Sequence, residues 1–318
     1  MTHRTIDEAV NASVNEDGKA TSRVWGLLAQ GAQGAQGAIG HNGTLASMVE
    51  KTQLHWIPRD GSGRPLKRHE IEMNLAKFDA QVDPRVRDEM FRKLDELGLF
   101  EHRYVPSRKQ YDTVLWHGNH LDSIFYMWML LVHTWQSGVR FKKVVNLSAY
   151  VPVHEGSSDS IATLRRLCLQ HKVPFPTEAG QEGQPGDYTS HVGMVHYLWK
   201  QLTLADMQDK VELHVVSAAD PIGPDGTDVR ANTNHTVSSW YESGAFDTHD
   251  EAYLLLSCAP FALRQYLITR TFFRRKGMTK YILDAIAAPY SGKRSLTICK
   301  MEFAKFLFEQ LEAHSPGH

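Results

Sequence analysis

A chain of 318 residues with 42% hydrophobic and 22% charged residues can bury a substantial core, as one large domain or two small ones. A formal net charge of -1 argues against a dedicated nucleic-acid or membrane-surface binder, since both need a basic field. Cys168, Cys258 and Cys299 are too few and too scattered for a disulfide framework or a thiolate metal site, so a reducing, cytoplasmic setting is expected.

In chain order, residues 1–51 read as a flexible arm. Met1 to Ala20 is polar, without the apolar centre of a signal peptide. Gln30 to Gly37 is a small Gly/Ala/Gln repeat that cannot offset its own ordering entropy, with at most a short helix around Val24 to Ala29. Such an arm is a linker first and a protein-partner segment second. Residues 52–110 read as a helical extension packed on the core. Asp60-Gly61-Ser62-Gly63 marks a turn, and Asp83-Pro84 opens a helix as N-cap and first position. That helix carries Val86, Met90, Leu94 and Leu97 at helical spacing and is closed by Gly98.

From residue 111 to 313, β-rich runs alternate with helices. Strands are expected at 112–116, 143–148, 211–217, 252–257 and 280–286. Helices are expected at 121–136, 160–171, 190–202, from 232, at 261–276 and at 300–311. Ser123 to Trp135 is apolar but too short to span a bilayer, which predicts a core helix and no membrane anchor. Strands apolar on both faces, alternating with helices, imply parallel β-α-β units. The expected class is α/β, a Rossmann-like three-layer sandwich with a mainly parallel sheet and an N-terminal helical extension.

In such a sheet, ligands bind beyond the carboxyl ends of the strands, where strand order reverses. Three strand ends carry polar residues: His117-Gly118-Asn119-His120; Ser217 through Asp220 to Arg230, Asn232, Thr233 and His235; and Ser257-Cys258-Ala259-Pro260 with Arg264. Ser148 ends the second strand. Asn232 and Thr233 suit a helix start, where free N–H groups favour an anion, and Arg230 and Arg264 would add two guanidinium groups. The bland alternative for Arg264 is a pair with Asp220 or Asp228. His117 and His120 lack a convincing third metal ligand other than Asp122, so a capping role is expected and no metal, with a metal-dependent hydrolase using this pair as the third reading. No G-x-S-x-G elbow or Walker loop is present.

The order of these pieces resembles the bacterial family typified by the envelope-associated proteins YdcF, SanA and ElyC. The matching stretches are Leu115-Trp116-His117-Gly118-Asn119, Arg230-Ala231-Asn232-Thr233-Asn234-His235 and Leu255 through Ser257 to Arg264. The resemblance covers residues 111–276. The chain departs from it at His235, where the family has a glutamate, and in lacking the envelope members' membrane helices. It implies a Rossmann-like site for S-adenosylmethionine, a nucleotide or a phosphate-linked carrier.

The expected function is therefore an enzyme acting on a nucleotide- or phosphate-bearing small molecule by hydrolysis or group transfer. Asp220 or His235 would be general base, with His117 or Asn119 positioning substrate. The binding set is Gly118, Asn119, Ser148, Ser217, Arg230, Asn232, Thr233, Ser257 and Arg264. The alternative is a module that binds S-adenosylmethionine, a nucleotide or a protein partner without turnover.

Overall fold

In the computed structural model, the described residues are 5–11, 44–66, 68–100, 104–118, 120–149, 160–173, 190–218, 232–247, 249–289 and 295–314. They form two compact units: Tyr104–Cys258 with Ile268–Ser291, and Met1–Arg103 with Ala259–Leu267 and Gly292–His318. The second, helical unit is gathered from three stretches of chain, whereas the sequence suggested contiguous segments.

The sheet unit is built on β1 (Gln110–His117), β2 (Arg140–Ala149), β3 (Glu212–Ala218), β4 (Ala252–Cys258) and β5 (Ile282–Ala288). All four pairings are parallel, in the order β3-β2-β1-β4-β5. Position in the sheet follows from composition. Ala252-Tyr253-Leu254-Leu255-Leu256-Ser257-Cys258 is buried throughout, as a strand covered on both faces must be. At the edge, β3 interleaves Glu212, His214 and Ser217 with apolar residues, and its polar side chains are partly exposed. The fifth strand runs two residues further along the chain than its composition suggested.

Helices on each side complete the three-layer sandwich. The first two crossovers supply Leu121–Gln136, Ile161–Gln170 and His191–Tyr197, which pack on one another, and the last of these runs into a π-turn at Leu198–Leu202. The return crossover supplies Thr233–Glu242, whose Trp240 packs edge-on against Tyr253 of β4 and beside Phe273. Right-handed connections in both directions along the sheet place these two groups on opposite faces.

Buried polar residues tie the strands together at their amino ends. Asp250, just before β4, accepts from Thr113 Oγ1 of β1 at 2.5 Å and pairs with Lys143 Nζ of β2 at 2.8 Å. On the other edge, Asp284 of β5 accepts from the Tyr111 hydroxyl and from Ser107 N and Oγ, the last two at 2.8 and 2.7 Å. Burial and the adjacent carboxylate push the Tyr111 phenol well above its ordinary range, so it stays a donor.

In the helical unit, the expectation of a loose arm over 1–51 fails at both ends. Ile6–Asn11 is a helix that buries Ile6, Ala9 and Val10, and Tyr266 donates to its Asp7 at 2.7 Å. Leu45–His55 is another, started by Thr44, whose side chain accepts from Ser47 N, and the expected boundary at 51 falls inside it. The apolar spacing Leu45, Met48, Val49 gives it a stripe to bury, and Gln53 Nε2 donates to Ala304 O at 3.2 Å. The Gly/Ala/Gln repeat and the helix expected at 24–29 lie outside the described residues.

The helix opened by Asp83 runs Pro84–Glu96. Asp83 accepts from Arg85 N and Val86 N, and Gly98 stands at φ 88°, which closes the helix as the sequence implied. The closing helix, Leu296–His314, starts four residues earlier than expected. Ser295 caps it through Ile298 N, a signal hidden within Ser291 to Ser295. Among the described residues, no helix is long and apolar enough to cross a membrane.

Candidate functional site at the strand ends

The chain runs β1 to β2 to β3 in one direction, then returns to place β4 on the far side of β1. Strand order therefore reverses between β1 and β4, and the crevice of an open α/β sheet belongs at their carboxyl ends. The register sets Trp116 beside Leu256, so His117 and Ser257 are the next residues on the two strands. On the other side, His117 stands beside Leu147, and Ser148 beside Ser217. Parallel pairing thus brings His117, Ser148, Ser217 and Ser257 to one edge of one sheet.

Gly118 fixes how β1 leaves that edge. Its N–H donates to Leu147 O at 2.7 Å, which folds the exit turn onto the end of β2. A Cβ at this position would lie 2.6 Å from Ser148 Oγ, 2.7 Å from Ser148 Cα and 3.0 Å from Leu147 O. Only a residue without a side chain fits so close to a neighbouring backbone. Beneath the turn, Ser148 Oγ donates to Asn146 Oδ1 at 2.6 Å and Asn146 Nδ2 donates to Trp116 O at 3.2 Å. This buried chain of polar groups braces β1 against β2. Asn146 was missed at the level of sequence, although a carboxamide inside Val144-Val145-Asn146-Leu147 is the kind of polar interruption that marks such a brace.

His117 and Ser257 are both buried, at 2% and 0% exposure, whereas Ser217 is exposed on the edge strand. His120 occupies the N-cap position of Leu121–Gln136, but its side chain makes no capping hydrogen bond. Instead Asp122 accepts from Ser123 N at 2.7 Å and brings a carboxylate to that helix start. Among the described residues, no group of three His, Cys, Asp or Glu side chains is arranged to hold a metal ion.

The helix after β3 begins with a reciprocal box. Asn232 Oδ1 accepts from His235 N at 3.2 Å, and His235 Nδ1 accepts from Asn232 N at 3.1 Å. Here a histidine fills the place usually held by Glu or Gln. The box fixes the neutral tautomer: with Nδ1 accepting from the backbone, the ring proton sits on Nε2. His235 therefore offers a ligand a donor, and in this arrangement neither ring nitrogen is placed to abstract a proton. The N–H groups of Thr233 and Asn234 in the first turn stand outside the box, with Thr233 half-buried.

Arg264 belongs to the helical unit, where its Nε donates to Glu302 Oε2 at 2.7 Å; Glu302 is buried and also meets Lys305 Nζ at 3.3 Å. Glu302 lies far along the chain from the acids weighed as its partner, and no local pattern points to it. Asn119, Asp220 and Arg230, together with Asp228, lie outside the described residues. Compared with known proteins, the chain matches no family model, no curated protein and no solved structure.

Proposed function

We propose that the carboxyl edge of the sheet binds the phosphate end of a small molecule, such as a nucleotide or another phosphate ester, and that the protein catalyses its hydrolysis or group transfer. One observation carries this reading. At the end of β1, Gly118 lies so close to Ser148 of β2 that no side chain fits, and on the other side of the same strand end, where order reverses, His117 and Ser257 follow the paired Trp116 and Leu256 of β1 and β4. A close backbone approach between two strand ends, ringed by hydroxyl and imidazole groups, suits an oxyanion better than an apolar ligand.

In this proposal Ser257 and the Thr233 end of the following helix contact the anion, with His235 Nε2 as a further donor, while Ser148, whose hydroxyl is given to Asn146, holds the shape of the site. Arg230, Asn119 and Ser217 complete the binding set, and His117 orients the reacting group. Asp220 takes the role of general base, since the box at Asn232 turns His235 into a donor. Arg264 is already paired with Glu302, and the reading does not need it. A tie to the YdcF, SanA and ElyC family is part of the same proposal. It is supported by the fall of the three marks at the end of β1, the helix after β3 and the end of β4.

The test is binding of inorganic phosphate, ADP and S-adenosylmethionine to the full chain by thermal shift and calorimetry, with release of phosphate from phosphate esters measured alongside. A ligand at a hundred times its Kd adds about 2.7 kcal/mol of stability to the fold it binds. That gain should appear with a phosphate ligand and vanish in His117→Ala. If no phosphate ligand stabilises the protein, the proposal fails.

The second reading, a binding module without turnover, draws on the blocked base at His235 and the burial of His117. Asp220→Asn separates the two: an enzyme keeps binding and loses turnover, while a module has no turnover to lose.

A further inference from the structure

The helical unit contains a cavity of about 850 Å³, within the range of small-molecule sites. Its wall divides between polar and apolar surface, the apolar part coming from Leu54, Trp56, Phe78, Val82 and Met90 on separate helices and their connections. Two cations share that wall. Lys300, on the closing helix, has its ammonium 5.7 Å from the Trp56 ring centroid and makes no ion pair with any described residue. Arg59 donates from its two terminal nitrogens to Gly63 O and Gln53 O, while its Nε is buried without an acceptor among the described residues.

The acids nearby are already engaged. Asp83 lines the cavity but accepts from Arg85 N and Val86 N as a helix cap. Asp79 accepts from Thr297 N and Oγ1 at 3.0 and 2.7 Å, at the start of the closing helix. The result is a cavity of mixed lining that carries two cations, Lys300 and Arg59, against one acid, Asp83, already engaged as a helix cap. A cation held away from water without a partner is costly, and an incoming anion removes that cost.

We propose that this cavity binds a small carboxylate with an apolar tail, the carboxylate meeting Lys300 and Arg59 and the tail lying against Trp56, Phe78 and Met90. The site is independent of the phosphate site proposed for the sheet unit. Desolvation holds the Lys300 ammonium below the usual lysine range, only partly offset by Asp79, and a bound carboxylate should raise it again.

The experiment compares octanoate, octanol and octylamine on the full chain by titration calorimetry. In parallel, the rate of Lys300 acylation is followed by mass spectrometry with and without octanoate. Octanoate should bind at least about tenfold more tightly than octanol, as a charge-assisted contact would give, and octylamine should not bind. Lys300→Met should reduce octanoate to the octanol level, Lys300→Arg should retain most of the preference, and octanoate should slow acylation of Lys300 in the unaltered protein. Equal affinities for the three compounds, unchanged octanoate binding in Lys300→Met, or no protection of Lys300 would each overturn the proposal. The protection measurement needs no variant, so it decides the matter even if Lys300→Met does not fold.

Discussion

Replacing Gly118 by alanine tests the geometry on which the phosphate site depends. The new methyl would sit 2.6 Å from Ser148 Oγ, 2.7 Å from Ser148 Cα and 3.0 Å from Leu147 O. The hydroxyl can rotate, but the other two atoms are backbone of β2, which is hydrogen-bonded to β1 on one side and β3 on the other. Ordinary carbon contact would require a separation larger by about 0.7 Å, and neither neighbour strand leaves β2 free to supply it. Overpacking of this kind costs about 1–3 kcal/mol, and the backbone obstacle puts Gly118→Ala toward the upper end. For a unit of this size, Tm should fall by about 4–12 °C. Differential scanning calorimetry gives that shift, and hydrogen exchange should localise the loosening to residues 114–118 and 144–149. Gly118→Ala combined with Ser148→Gly removes only the hydroxyl contact and should recover little. A Tm equal to that of the unaltered protein would refute the close approach.

Three other outcomes follow from the interactions described. Asp250→Ala strands Lys143 in a site where it is largely buried, so chemical denaturation should show a loss near the low end of the ~3–5 kcal/mol typical of broken buried pairs, while Asp250→Asn should be milder because Thr113 keeps an acceptor. Asn232→Ala removes the cap of its helix and should cost about 1 kcal/mol, read by chemical denaturation. Asp112 supplies a pH dependence: burial raises its carboxyl, but the Lys142 ammonium and the N–H groups of Glu251 and Ala252 outweigh that and lower it overall. A lowered folded-state value means stability present above the unfolded value of about 3.9 and lost as pH falls through the folded one. Urea unfolding followed from pH 6 downward should therefore be flatter below pH 4 in Asp112→Asn than in the unaltered protein.

The sheet was legible because its strands are continuous apolar runs between helices of ordinary length. Tyr253 to Leu256 can only be a strand covered on both faces, and His117, Ser217 and Ser257 each close such a run. Their arrival at one edge follows from parallel pairing alone. What composition could not show was order. The reversal between β1 and β4, which singles out His117, Gly118 and Ser257, depends on long-range pairing.

The helical unit was less legible because its partners are distant in the chain. Ile6–Asn11 is too short to read as a helix by itself and depends on packing to form. Arg264 finds Glu302 on a helix that begins beyond the next strand. The place of His235 was hidden for a local reason: a histidine at the third helical position can fold back so that Nδ1 accepts from the cap N–H, a use that composition does not announce.

The most direct test of the central claim is hydrogen exchange of the full chain with and without saturating ADP, analysed by peptide. Binding at the reversal point should slow exchange at the carboxyl ends of β1 and β4, residues 115–118 and 255–258, and at the helix start at 232–236. Protection confined to other segments, or none at a concentration where calorimetry shows binding, would contradict it.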